Sequence, residues 1–162
     1  MMKNNLDIEK LKFPIGKFQK PDSISDNDLK TWIATIENFP AKIKVLTSNL
    51  SVEEMNWIYR PKGWSIKQVV HHCADSHINS FVRFKLALTE DVPTIKPYEE
   101  ALWAELADGN SNDISPSLQI IEGVHTRWVL LLKSFGSTEL KRQFFHPGNL
   151  KIASLDETIG VY

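Results

Sequence analysis

The chain has 162 residues, 42% of them hydrophobic and 24% charged, and its formal net charge is −1. This composition predicts one folded domain and excludes a chain without a core. The charge balance lacks the basic excess typical of nucleic-acid binding, and no apolar stretch approaches the roughly 20 residues of a membrane helix. Met1 to Lys12 lacks the apolar centre of a signal peptide. The single cysteine, Cys73, excludes an internal disulfide and a multi-thiolate zinc site, so we expect a cytoplasmic protein.

Most of the predicted elements are helices that begin at capping patterns, in which a serine is followed three residues later by an acid or a glutamine. Prolines and a glycine near the start instead predict an extended arm over residues 1–24 that lies on the domain. After the arm we expect a helix from Asp26 to about Ser48 bent at Pro40, a helical turn at Ser51–Glu54, a loop at Tyr59–Gly63 and a helix over Ile66–Thr89. The next expected elements are a short helix over Tyr98–Leu106, a turn at Asp108–Asn110 and a helix from Ser115 to about Phe135. The last ones are a short helix over Ser137–Gln143, an extended segment over Phe144–Ala153 that turns at His146–Asn149, and a helix opened by Ser154 and Glu157.

Long helices with short interludes predict an all-α fold, a single four-helix bundle over residues 25–162. The helix that opens at Ser154 has scarcely two turns before the sequence stops at Tyr162. No capping residue follows it. We therefore expect the fourth helix to be largely missing, with a short extended segment before it, and the bundle to be incomplete at its C-terminal end.

The helix over Ile66–Thr89 carries a narrow polar stripe between two apolar flanks. At about 100° per residue, one side of this helix presents Gln68, His72, Asp75, Ser76, Asn79 and Arg83. A polar stripe with apolar flanks on both sides is more typical of a cavity lining than of a solvated face. His72 lies at its centre. It is either a hydrogen-bonded core histidine or a metal ligand whose second nitrogen contacts a partner such as Asp75 or Ser76.

The other histidines favour structural roles. His71 and His77 point about 100–140° away from His72, so the three cannot bind one ion from a single helix, and we expect them to pack or to lie at an interface. His125 is the only polar member of the apolar stripe of the third long helix. A buried histidine satisfied by a neighbour is the favoured interpretation, and a pocket-lining or proton-shuttling role is the alternative. Cys73 is expected to be a small core residue, and His146 a turn residue.

Several motifs together resemble the YfiT family of the DinB superfamily. The resemblance covers nearly the whole chain from about Phe13, and the block around His72 is its most specific part. The matching segments are Tyr59-Arg60, Gly63-Trp64-Ser65, Gln68-Val69-Val70-His71-His72, Ala74-Asp75-Ser76-His77, Arg83-Phe84-Lys85-Leu86, Pro97-Tyr98-Glu99-Glu100, Arg127-Trp128 and His146-Pro147.

The resemblance implies a DinB-like four-helix bundle that forms cytoplasmic homodimers and binds one divalent ion, zinc or nickel, through three histidines. Proteins of this family are provisionally described as metal-dependent hydrolases. A similar member transfers bacillithiol, a low-molecular-weight thiol, to electrophiles. The resemblance makes His72 the first metal ligand. The other two belong to a Trp-His-x-x-His-His-like segment after a Gly-x-Tyr, and here Gly160-Val161-Tyr162 is followed by no further residue.

These observations give one leading hypothesis about mechanism and two rivals. In the leading one, the ion lowers the pKa of a bound thiol or water, Asp75 orients His72, His125 lines the pocket or moves a proton, and Arg83 neutralises a carboxylate of the thiol. The first rival is a metal-free, catalytically inactive binding or dimerisation module, since two ligands are absent from this sequence. In the second rival, missing ligands come from His125 or from a dimer partner.

Overall fold

A computed structural model describes residues 3–162, and side chains from Ile8 onwards. It contains a helical bundle and one short hairpin. The elements are α1 Lys3–Lys12, α2 Asp26–Thr47, α3 Val52–Met55, α4 Ile66–Thr89, α5 Glu100–Trp103, α6 Ser115–Leu132, α7 Ser137–Leu140, β1 Gln143–His146, β2 Lys151–Ser154 and α8 Leu155–Val161. Within the described residues, no helix is both long enough and apolar enough to cross a membrane.

The N-terminal segment differs from the extended arm that the sequence predicts over residues 1–24. Met1 and Met2 lie outside the described residues, but α1 makes the prediction wrong for Lys3–Lys12. That segment has no proline or glycine and is rich in good helix formers. The turn residues Pro14, Gly16 and Pro21 come after it, so they do not prevent it from forming a helix. After α1 the chain lies on the bundle, where the Phe18 ring packs edge-on against Trp32 at 5.6 Å.

Serine caps fix three of the helix starts, as the sequence predicts. Ser25, Ser51 and Ser65 each form a complete capping box with the residue three positions later. Helix α4 ends at Thr89, also as predicted. Helix α6 begins at Ser115, as predicted, but it has no serine cap, because the residue before it is Ile114 and Ser115 is already helical. The carboxylate of Asp113 accepts from the Ser115 backbone N–H at 3.0 Å and so takes over the capping.

The hairpin lies between the third long helix and α8. Strands β1 and β2 pair antiparallel, with Gln143 opposite Ser154 and His146 opposite Lys151. This confirms the predicted extended segment and its turn. Ser154 precedes α8, which confirms the predicted start of the last helix, but its hydroxyl donates to Asp156 and forms no capping box with Glu157.

The long helices bury two apolar clusters. Helix α6 packs against both α2 and α4, and α8 packs against α2. Trp128 and Phe84 are fully buried at the centre of the larger cluster, and Ile121 and Val70 belong to the smaller one. The helices that form the bundle are therefore α2, α4, α6 and α8, and the residues with candidate chemistry lie mainly on α4 and α6.

Candidate metal and catalytic site

The first turn of α4 places the central histidine beside α5. The Gln68 side chain accepts from the Ser65 N–H at 2.9 Å, and its amide donates to the Ala104 carbonyl at 2.9 Å. One buried residue thus caps α4 and holds the end of α5 against it. One turn further along α4, His72 Nε2 lies 3.9 Å from the Glu100 carboxylate. The His72 ring also packs at 4.7 Å against Trp64, and its side chain keeps 23% of its exposure.

The surroundings of His72 keep its imidazole neutral. Burial lowers the pKa of His72, although the negative charges of Glu100 and Asp75 oppose the shift. A neutral imidazole with an accessible nitrogen is the form that binds a metal ion. The position of His72 is therefore suited to the ligand role that the family resemblance implies.

Glu100, rather than Asp75, is the carboxylate within 4 Å of the His72 ring, although the Asp75 charge also acts on it. Among residues 8–162, no hydrogen bond joins Asp75 to His72, and the Asp75 backbone carbonyl instead accepts from the Asn79 amide at 2.9 Å. Burial, followed by the nearby Asp108 charge, raises the pKa of Asp75. Sequence reasoning missed Glu100 because its position depends on α5 contacting Gln68. The only sequence signal was its place in the Pro97–Glu100 family motif.

A phenol and a serine continue the same wall. Burial raises the pKa of Tyr98, and the nearby Ser76 hydroxyl opposes that shift. The Tyr98 ring packs at 4.5 Å against Trp103 of α5. The pKa of Tyr98 is also raised by Tyr162, which brings the end of the chain to this wall. Tyr98, just before α5, therefore lies near both Ser76 of α4 and Tyr162.

A second histidine site forms where α4 meets α6. His77 Nδ1 lies 2.6 Å from His125 Nε2, and His125 Nδ1 lies 2.6 Å from the Ile36 carbonyl. His125 is only 2% exposed. The favoured prediction of a buried, satisfied histidine is thus confirmed for His125. The direct pairing of His77 with it was not predicted, because the two residues are 48 positions apart.

The remaining histidine and the thiol of α4 are structural. His71 is buried, its Nε2–H donates to the Ser111 carbonyl at 3.0 Å, and its Nδ1 accepts from Ser117 at 2.8 Å. The prediction that His71 packs is therefore confirmed. Burial raises the pKa of Cys73 to about 11, so the thiol stays protonated at neutral pH, as expected of a core residue.

Arg83 lies on the same stripe of α4 but not at the same site. It follows His72 by eleven residues, which corresponds to about 16 Å along a helix. Its charge lowers the pKa of His146 in the hairpin, after the larger effect of burial. The structure therefore separates Arg83 from His72, and the predicted role of Arg83 would need a long cosubstrate.

A groove of about 600 Å³ lies between α2 and α6. Pro40 and Leu118 line its apolar part, and Glu37 and Glu122 lie on its walls. His125 borders this groove from below, but His72 does not. The groove is thus separate from the His72 site.

Comparisons with known proteins agree with this geometry. The family model of the DinB superfamily matches residues 35–161. The chain belongs to the DinB superfamily. Its sequence is 41% identical to YfiT of Bacillus subtilis, over 94% of this chain and 85% of YfiT, and 44% identical to OB0782 of Oceanobacillus iheyensis, over 93% of this chain and 87% of that protein. Both relatives are provisionally named metal-dependent hydrolases.

The solved structure of B. subtilis YfiT superposes on this DinB-superfamily chain with a TM-score of 0.91. The superposition covers 94% of this chain and 87% of that one at 41% identity. YfiT is described as a four-helix bundle of unusual topology. The predicted all-α, DinB-like four-helix bundle is therefore confirmed.

The described side chains include His72 as a candidate metal ligand. His72 meets the requirement for one ligand, a neutral imidazole with an open side. Within the described residues, however, no three histidine, cysteine, aspartate or glutamate side chains are placed to hold one ion. A catalytic zinc ion ordinarily has three protein ligands. The residues described here thus do not form a metal site by themselves, and His125, whose ring nitrogens are both engaged, does not supply a missing ligand.

Proposed function

We propose that this DinB-superfamily chain is a metal-dependent enzyme of hydrolase type in which His72 is one metal ligand. The names of its relatives support metal-dependent, hydrolase-type chemistry. The observation that carries the proposal is the neutral, half-buried imidazole of His72 at the centre of the polar stripe of α4. Its Nε2 lies 3.9 Å from the Glu100 carboxylate, beyond hydrogen-bond distance, so this nitrogen is free to bind an ion.

The finer proposal is that the nucleophile is a low-molecular-weight thiol of the bacillithiol type and the acceptor a small electrophile. The wall beside His72 supports this reaction class. The indole of Trp64 offers an apolar face, while Ser76 and Tyr98 offer hydroxyl groups within the same site. A small polar molecule with a thiol could bind these groups without requiring the distant Arg83.

The direct test compares this 162-residue chain with a form that continues after Tyr162 into the Trp-His-x-x-His-His-like segment. Each is loaded with zinc or nickel, dialysed and analysed for bound metal, and thiol transfer and ester hydrolysis are assayed with and without a chelator. We expect about one ion per longer chain and chelator-sensitive thiol transfer. His72→Ala should remove both, whereas His146→Ala, a matched loss of a half-buried histidine, should remove neither. Activity that survives the chelator would contradict the proposal.

A second candidate is a metal-free DinB-like binding or dimerisation module. It is favoured by the lack of a three-ligand cluster among the described residues. Elemental analysis of the 162-residue chain separates the two candidates. A tightly held, stoichiometric ion that His72→Ala abolishes would exclude the module. The absence of bound metal from both the 162-residue chain and the longer form would support it.

A further inference from the structure

A proline within α2 releases a backbone carbonyl at the second histidine site. Pro40 lies inside the helix and has no N–H, so it cannot donate to the carbonyl of Ile36 four residues earlier. Ile36 is only 2% exposed, and a buried carbonyl without a donor is unfavourable. The Nδ1–H of His125, on α6, supplies the missing donor at 2.6 Å.

This contact determines the protonation of both imidazoles. A carbonyl only accepts, so His125 carries its proton on Nδ1. Burial lowers the pKa of His125, which leaves the ring neutral and Nε2 bare. His77 must therefore donate from Nδ1 across the 2.6 Å contact. Burial, assisted by His125 and His72, lowers the pKa of His77 to about 3, so His77 Nε2 carries a lone pair at neutral pH.

The free lone pair lies in an aromatic surrounding that includes the last residue of the chain. The centroid of the His77 ring is 5.0 Å from the ring centroid of Phe39, 5.5 Å from that of Tyr162 and 6.2 Å from that of Trp128. Among residues 8–162, His77 Nε2 has no hydrogen-bond partner, yet it is not one of the nitrogens shut off from solvent. The indole N–H of Trp128 is shut off and has no acceptor in the same part of the chain. His77 Nε2 is thus a free acceptor that a bound molecule can reach, whereas the Trp128 N–H is closed to it.

The same cluster adjoins the His72 wall. The charges of Tyr162 and Glu100 both raise the pKa of Tyr98, so Tyr98 lies near both residues. Tyr162 contacts the His77 ring, and Glu100 lies next to His72. A group that donates a hydrogen bond, such as a thiol, a hydroxyl or a water, matches the free acceptor at His77 Nε2.

We propose that His77 Nε2 accepts a hydrogen bond from the S–H or O–H of the nucleophile, and that the Ile36 carbonyl, released by Pro40, holds His77 in this tautomer through His125. The inference deepens the proposed function and rests on it for the identity of the nucleophile. The hydrogen bond orients the nucleophile and requires no proton transfer. His125, Ile36 and Pro40 are positioning residues, and only His77 contacts the nucleophile.

The test uses the ¹⁵N-labelled 162-residue chain without metal, so that it is independent of enzymatic activity. Two-bond ¹H–¹⁵N spectra at pH 7 report which ring nitrogen of each histidine carries the proton. We expect His77 and His125 both to be protonated on Nδ1 only. A proton on His77 Nε2 would overturn the proposal.

Pro40→Ala tests the origin of the relay. Alanine restores an N–H that competes for the Ile36 carbonyl, and it is a better helix former, so the variant should fold. We expect His125 and His77 to populate both tautomers in this variant, while the spectrum of His71 stays unchanged. Fixed Nδ1–H tautomers in Pro40→Ala would show that the proline does not set the relay.

The acceptor role is tested by adding 2-mercaptoethanol to the same labelled chain. We expect the His77 Nε2 resonance to move and that of His146 to stay. His77→Asn keeps a donor near the Nδ1 position but has no atom at Nε2, so it should bind the thiol about fivefold to tenfold more weakly. An unmoved Nε2 resonance, or equal affinity in the variant, would overturn the acceptor role. A loss of metal dependence in the separate activity assay would overturn the proposed function alone.

Discussion

Two imidazoles on the same helix, five residues apart, have opposite surroundings. His72 Nε2 lies 3.9 Å from the Glu100 carboxylate, and the side chain keeps part of its exposure. The His77 ring is held through its Nδ1 by His125, which a backbone carbonyl of α2 holds in turn. The His72 ring has a nitrogen without a hydrogen bond, whereas the His77 ring is held in one tautomer by its partners. The difference shows that position on a helical stripe does not decide what a histidine can do, whereas its partners on other helices do.

The largest expected effect distinguishes the two regions by their contribution to folding. Trp128 is fully buried beside His77, whereas Trp64, beside His72, is only half-buried. We expect Trp128→Ala to lower the free energy of unfolding by about 3–5 kcal/mol, because it leaves a large cavity. Urea titration provides the measurement, with Trp64→Ala as the matched control. A larger loss of unfolding free energy in Trp64→Ala would mean that the His77 region does not contribute more to stability than the His72 region.

The next effect distinguishes the regions by metal binding. We expect His72→Ala to reduce chelator-sensitive activity at least about 100-fold in the form that carries the further histidine segment, since it removes a ligand. His77→Asn should keep the metal and lose only part of the rate. Metal analysis and steady-state kinetics on both variants check this. The assignment of roles fails if His77→Asn releases the ion and His72→Ala retains it.

The pH dependence of stability should depend on His77. Its pKa is about 3 in the folded chain and about 6.5 unfolded, so the unfolded chain binds more protons between these values. Stability from this residue is fully present above about pH 6.5 and decreases as the pH falls towards 3, by at most about 1.4 kcal/mol per pH unit.

Urea titrations at several pH values between 7 and 4.5 measure this dependence. His77→Phe should show a shallower decline than the unchanged chain, because the residue no longer takes up a proton on unfolding. His72→Phe is the matched control from the more open region. Identical slopes for the unchanged chain and His77→Phe would contradict the assignment of a buried neutral imidazole.

The smallest expected effect concerns the carboxylate beside His72. The Glu100 charge raises the pKa of His72 against the larger effect of burial. Glu100→Gln should therefore lower that pKa further, by roughly a few tenths of a pH unit, since solvent screens an exposed charge. An NMR titration of His72 measures the change, and Glu99→Gln is the neighbouring control. A higher pKa in Glu100→Gln would mean that the carboxylate does not face the ring.

The parts of the fold that could be predicted from sequence are those that local chemistry determines. Serine caps and uninterrupted helical spacing gave the starts of three helices and both ends of α4. Turn residues gave the hairpin. The α1 prediction failed because proline and glycine signals were extended over a segment that contains neither. The helix pattern and the family motifs predicted the bundle, whereas the role of His72 as a metal ligand stays a prediction.

The unpredicted parts depend on contacts between distant segments. Glu100 reaches His72 only because Gln68 binds the end of α5. Pro40 predicts a bend, but nothing local shows that a histidine of α6 would occupy the carbonyl it frees. His77 was assigned to packing for the same reason, since its partner is 48 residues away.

The measurement that tests the contrast most directly is a zinc titration of the ¹⁵N-labelled form that continues after Tyr162 into the Trp-His-x-x-His-His-like segment, followed by two-bond ¹H–¹⁵N spectra. The account predicts that a ring nitrogen of His72 shifts with zinc, while His77 and His125 remain neutral with their protons on Nδ1. A zinc-dependent shift at His77 or His125 with none at His72 would contradict it.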